Sequence, residues 1–145
     1  MANVFAAAEY ILQKLGPMTA MKLQKLVYYS QAWHLTWDER LLFEERIEAW
    51  DNGPVSPALY NAHRGQYLVE PGMFAERVDG ELSQDEQESI NQVITFYGDK
   101  NPQWLSNLTH MEDPWLSARE GVPDGERGNK QISPESMIEY YSSLV

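Results

Sequence analysis

Two neighbouring stretches decide the fold of this chain: KLQKLVYYSQAWHL, Lys22 to Leu35, and IEAWDNGPVSPALY, Ile47 to Tyr60. In the first, Leu23, Leu26, Val27, Ser30 and Trp33 recur at helical spacing, and Trp37 extends the stripe, so the segment reads as an aromatic-rich amphipathic helix. Thr19 stands where its side chain can accept the first free backbone N–H of that helix. In the second stretch, Pro54 and Pro57 restrict the backbone, Asn52-Gly53 suits a turn, and Ser56-Pro57 opens a new helix.

Working outward, the helix signals continue. Val4, Phe5, Ala8, Ile11, Leu12 and Leu15 form a first helical stripe, and Gly16-Pro17 stops it. Leu41-Leu42-Phe43 and Ile47 to Trp50 are short apolar segments around Glu44-Glu45-Arg46, which read as a small β-hairpin near 41–50. Four later helices share one start device, a capping side chain followed by Pro: Ser56-Pro57, Asn101-Pro102, Asp113-Pro114 and Ser133-Pro134. Ser83-Gln84-Asp85-Glu86 is a capping box whose acids suit the positive end of the helix dipole, and Gly98 ends that helix. Residues 65–82 read as irregular. Residues 121–131 hold three Gly and one Pro and read as the most mobile loop. The expectation is a mainly α protein, a compact bundle of about six or seven helices forming one domain over 1–145.

Composition narrows the function classes. A chain of 145 residues can bury one sizeable core. The absence of Cys excludes a disulfide, a zinc–thiolate site and a thiol nucleophile, and it is compatible with a cytoplasmic location. No apolar run approaches the about 20 residues a membrane helix needs, and MANVFAAAEYILQKL lacks the basic start of a signal peptide. With 22 acidic against 11 basic residues the net charge is −11, which repels phosphate backbones and anionic lipid, so neither specific nucleic acid nor membrane is expected as a partner. The same charge steers a basic partner inward. The one basic cluster, Lys14, Lys22 and Lys25, reads as a solvated face.

No catalytic, cofactor or metal motif is present. His34, His63 and His110 are not spaced as ligands, and HExxH, GxSxG, GxGxxG and GxxxxGK[ST] are missing. No catalytic residue and no cofactor is expected; the chain reads as a binding protein rather than an enzyme. Two constellations remain. Trp50, Asn52, Gly53, Pro54, Val55, Pro57 and Tyr60 form a pre-organised corner flanked by aromatics, which reads either as a partner surface or as a scaffold corner. His110, Asp113, Trp115 and Arg119 form a candidate polar staple: Asp113 caps a helix, and Arg119 lies one turn after Trp115 and is a candidate partner for Glu48.

The ordered set KLQKL, YYSQAWH, IEAWDNGPV, SPALY and LTHMEDPW resembles the Panacea domain family, that of SocA-like antitoxins and GepA-like phage-associated proteins. The resemblance spans nearly the whole chain. It implies a compact helical fold and an antitoxin that neutralises a cognate protein toxin by direct binding. It also implies an alternative: an adaptor that delivers a toxin or other client to a Clp-type protease, or a prophage accessory interaction protein.

Overall fold

A computed structural model describes all 145 residues. Helix α1 (Val4–Leu15) is capped by the Asn3 side chain, which accepts from Ala6 N, and it stops at Gly16, whose φ of 82° suits a residue without Cβ. A short strand β1 (Met18–Thr19) leads into α2 (Ala20–Asp38), where the Thr19 hydroxyl accepts from Lys22 N at 3.1 Å. Then follow β2 (Glu48–Trp50), β3 (Gly53–Val55), α3 (Pro57–His63), β4 (Leu68–Val69), a 3₁₀ turn at Ala75–Arg77, and helices α4 (Gln84–Tyr97), α5 (Pro102–Thr109), α6 (Asp113–Ala118) and α7 (Pro134–Ser142). Seven α-helices and two two-stranded antiparallel sheets, β1–β4 and β2–β3, make a mainly α fold. None of its helices is long and apolar enough to cross a membrane.

The structure departs from the sequence reading at four points. The hairpin is not at 41–50 but at 48–55, with Glu48 opposite Val55, Ala49 opposite Pro54 and Trp50 opposite Gly53. Leu42 and Phe43 are fully buried instead of paired in a strand, because Gln31 on α2 holds their backbone: Leu42 N donates to Gln31 Oε1 at 2.7 Å and Gln31 Nε2 donates to Phe43 O at 2.7 Å. Asp113 does not cap α6. The capping position falls on Glu112, and its side chain turns inward instead. The expected solvated lysine face is not one face either. Lys22 donates to Gly98 O at 2.7 Å, and Lys25 is buried. Finally, α2 is not amphipathic along its middle: Leu23 to Ala32 is buried on every side. The Pro-started caps do form at Ser56, Asn101 and Ser133, and Ser83 with Glu86 completes a capping box.

Helix α2 therefore runs through the centre, packed by α1, α4, α5, α7 and β3. An aromatic and carboxylate cluster joins it to its neighbours. Tyr29 stacks on Tyr97 with centroids 4.2 Å apart. The Tyr29 and Tyr141 hydroxyls each donate to Glu112 Oε1 at 2.8 Å. Because the Tyr141 proton is used on Glu112, its oxygen accepts from Tyr28, 3.0 Å away. Burial holds the Glu112 carboxyl above the usual range, and the two phenols pull it partly back. A second buried carboxylate, Glu9 in the apolar stripe of α1, accepts from Gly72 N and Phe74 N at 2.8 and 2.9 Å, pinning the irregular 70–74 segment so that Phe74 packs on Phe5.

Removing one phenol donor from a buried carboxylate leaves charge uncompensated, so Tyr29→Phe, which keeps the ring stack, is expected to cost about 1–3 kcal/mol. Urea unfolding with an unchanged slope checks this; a loss within about 0.5 kcal/mol, as at ordinary surface positions, would contradict it.

Candidate partner-binding site

The β2–β3 hairpin is only three residues per strand, too short to hold itself together in water. What fixes it is side chains from both flanks. From one flank, Arg119 Nη1 donates to Ala49 O (3.3 Å), Trp115 Nε1 to Trp50 O (2.8 Å) and Ser106 Oγ to Asn52 O (2.7 Å), while His110 Nε2 lies 2.8 Å from Asp51 O. Four consecutive carbonyls, 49 to 52, are thus each held by a side chain from the segment 106–119. The His110 ring meets Trp115 edge-on at 4.2 Å, and the Arg119 guanidinium lies over Trp115.

The structure therefore brings His110, Trp115 and Arg119 together on the hairpin and leaves Asp113 outside. Arg119 does not pair with Glu48, which takes Arg46 at 3.1 Å and the Trp50 indole N–H at 2.9 Å. Instead Arg119 is itself buried, 3.9 Å from Asp51, and donates to Pro123 O and Glu126 O, gathering the 121–131 loop onto the hairpin. Residues 130–132 run beside β2, through Ala49 N to Lys130 O and Ile132 N to Ile47 O.

From the other flank, α2 supplies Gln24 and Lys25. Ser56 N donates to Gln24 Oε1 at 2.8 Å and Gln24 Nε2 donates to Ser56 O at 3.2 Å. That clasp orients the amide, so Gln24 Nε2 also faces His63 Nε2 as a donor, at 3.0 Å. His63 must then accept on Nε2 and carry its proton on Nδ1, the neutral tautomer, in keeping with burial lowering its pKa. Lys25 Nζ donates to Pro54 O at 3.3 Å, and its burial lowers its pKa to about 7. Gly53 makes the approach possible. Its φ is 121°, and a Cβ there would lie 2.6 Å from Lys25 Cε and 2.9 Å from Thr109 Oγ1.

Beside the hairpin opens a cleft of about 580 Å³, within the size of ordinary binding sites. Trp50 and Tyr60 meet edge-on at 4.8 Å in its wall, and Arg127 lies over the Trp50 ring at 4.6 Å. Of the corner residues singled out in the sequence, Asn52 is exposed, and Trp50, Pro57 and Tyr60 are half-buried. Gly53, Pro54 and Val55 are buried. Val55 lines the cleft, and Gly53 and Pro54 form the scaffold beneath it. Sequence reasoning missed Gln24, Lys25, His63 and Arg127. Their one signal is that Gln24 and Lys25 stand in the middle of an apolar helical run.

The chain is thus a helical bundle with a clamped aromatic corner beside a cleft. The family model described as Antitoxin SocA-like, Panacea domain, matches residues 23–116, and the chain belongs to that family. The matched segment contains α2 from Leu23 onward, the hairpin and α3, and so Gln24, Lys25, Trp50, Tyr60 and His63, but neither Arg119 nor Arg127. Antitoxin SocA of Caulobacter vibrioides (strain NA1000 / CB15N) is 27% identical over 125 residues, covering 76% of this chain and 66% of that protein. The chain thus spans slightly under two thirds of that relative's length. No solved structure matches the chain significantly.

Two outcomes follow from the geometry. Between pH 7 and 10.5 the unfolded chain binds a proton at Lys25 that the folded chain has released, so stability rises with pH through that window, on the order of 1 kcal/mol per pH unit. Lys25→Met should abolish that rise between pH 7 and 9.5, measured by denaturant unfolding at each pH; an unchanged slope would show that Lys25 is solvated. Gly53→Ala is expected to lose on the order of 2 kcal/mol or more, because it combines an unfavourable φ with a clash on Lys25 Cε. A melting temperature equal to that of the parent chain would contradict it.

Proposed function

We propose that this chain is an antitoxin: it binds a cognate protein toxin directly and holds it inactive, with no catalysis of its own. The observation that carries this is membership of the SocA-like Panacea family, together with a relative named as an antitoxin. The Trp50–Tyr60 corner supports the reading as the contact surface. Its backbone is held on both flanks before any partner arrives, so little entropy is lost on binding. The contact falls on Trp50, Asn52, Pro57 and Tyr60, which reach the surface, whereas Gly53 and Pro54 act as scaffold. A net charge of −11 favours encounter with a basic toxin.

The test is co-expression with the protein encoded beside its gene, followed by purification through a tag on this chain. Growth rescue with a stable complex is expected. Rescue without an isolable complex would instead support delivery of the toxin to a Clp-type protease. Asn52→Arg separates surface from scaffold. The residue is exposed, so stability is expected to stay within about 0.5 kcal/mol while rescue is lost, because a new charge without a partner is costly at an interface. Rescue falling only in proportion to melting temperature would remove the corner from the interface.

A further inference from the structure

The cleft beside the hairpin holds a feature that aromatic contact alone does not require, a buried lysine among its lining residues. Lys25 is 1% exposed and lines the cleft. An ammonium has three donors and a neutral amine two, and Nζ uses one, at 3.3 Å to Pro54 O. The chain has 22 acidic residues, yet none pairs with this amine. Its ion pairs are Arg46–Glu48, Lys100–Asp99 and Arg119–Asp51, and His34 lies beside Asp38. The one acid in the cleft, Asp51, is turned elsewhere: its Oδ1 accepts from Gly125 N at 3.1 Å and lies 3.9 Å from Arg119 Nη2. A second cation, Arg127, also lines the cleft without a carboxylate partner, its guanidinium over the Trp50 ring.

Burying an amine with a donor unspent is costly unless a charge or an acceptor arrives to use it. We propose that the cleft is a receptor for a side-chain carboxylate of a partner protein: the acid reaches the Lys25 amine, Arg127 faces it from the loop, and Trp50 and Tyr60 flank its methylene stem. A carboxylate restores the ammonium form of Lys25 and accepts its free N–H groups in a charge-assisted bond. A phosphate group would bring a second negative charge onto a chain that already carries −11 and so repels polyanions. Recognition of a chain terminus uses a nest of backbone N–H groups. Here the donor is a side-chain amine of a buried lining residue, which suits an acid on a flexible stem. The overall acidic surface and this local cationic lining do different work: the first steers a basic partner, and the second selects one acidic residue within it.

The inference needs only that the chain binds a protein, and its test uses the chain alone, so failure leaves the antitoxin reading standing. The ¹⁵N-labelled protein is titrated with three N-acetylated peptides: acetyl-Ala-Glu-Leu-amide, acetyl-Ala-Gln-Leu-amide, and acetyl-Ala-Gln-Leu with a free C-terminal carboxylate. The Glu peptide is expected to shift the Trp50 indole and Lys25 signals saturably, and about tenfold or more tightly than its Gln counterpart, the worth of one charge-assisted contact. Lys25→Met should lower the Glu peptide to the Gln level. Arg127→Gln, on a surface loop where folding is not at risk, should weaken the Glu peptide several-fold and leave the Gln peptide unchanged. Equal binding of the Glu and Gln peptides, no saturable shift with the Glu peptide, or an undiminished Glu preference in both variants would overturn the proposal. So would preference for the free-terminus peptide, which would assign the cleft to a chain end.

Discussion

The structure depends on one constraint: a central helix buried on every side must still satisfy the irregular backbone wrapped around it. Helix α2 is enclosed by other helices over most of its length, but along part of its surface the neighbours are a loop and a short hairpin. Such segments have main-chain N–H and C=O groups with no ladder to join, and a buried unpaired one costs as much as a lost hydrogen bond. The helix supplies the missing partners itself. Gln24 clasps Ser56, and Gln31, two turns later, clasps Leu42 and Phe43, each donating and accepting with a single amide. Lys25 takes Pro54 O between them. These polar residues are in the core because the backbone beside them is not regular.

The candidate site is a consequence of that arrangement. The hairpin is held by α2 on one flank and by Ser106, His110, Trp115 and Arg119 on the other, so its turn is rigid without belonging to a larger sheet. Rigidity there fixes Trp50, Asn52 and Tyr60 in place, so a contact made on them would cost little entropy. The same clamping places a buried lysine among the residues that line the cleft. Scaffold and site share residues, which is why a change at Gly53 bears on both, whereas the side chains of Asn52 and Arg127 take no part in the clamp.

The two buried carboxylates illustrate the logic from the opposite direction. Glu9 sits in the apolar stripe of α1 because two backbone N–H groups of the 70–74 segment need an acceptor. Glu112 leaves its capping position because Tyr29 and Tyr141 offer hydroxyls in the core, and α6 starts without a side-chain cap as a result. A polar residue in an apolar run is a local anomaly in both cases, and in both its partner lies far away in the chain.

What could be read from the sequence was whatever is decided within a few residues: the helix starts at Ser56, Ser83, Asn101 and Ser133, the stop at Gly16, the mainly α class and the turn chemistry around Asn52-Gly53. Caps and turns are local hydrogen bonds, so the sequence carries them directly. The aromatic corner and the His110, Trp115 and Arg119 grouping were legible as residue sets, because their members lie close together in the chain. The tertiary structure alone decided the rest. Whether Asp113 or Glu112 capped α6 depended on phenols 83 and 29 residues from Glu112. The hairpin closed at 48–55 rather than 41–50 because Gln31 took the backbone of Leu42 and Phe43. Lys25 turned from a solvated lysine into a buried amine because Gly53, brought against it from another element, left room for its stem. Long-range partners choose among locally acceptable arrangements, and that choice is made only when the chain has packed.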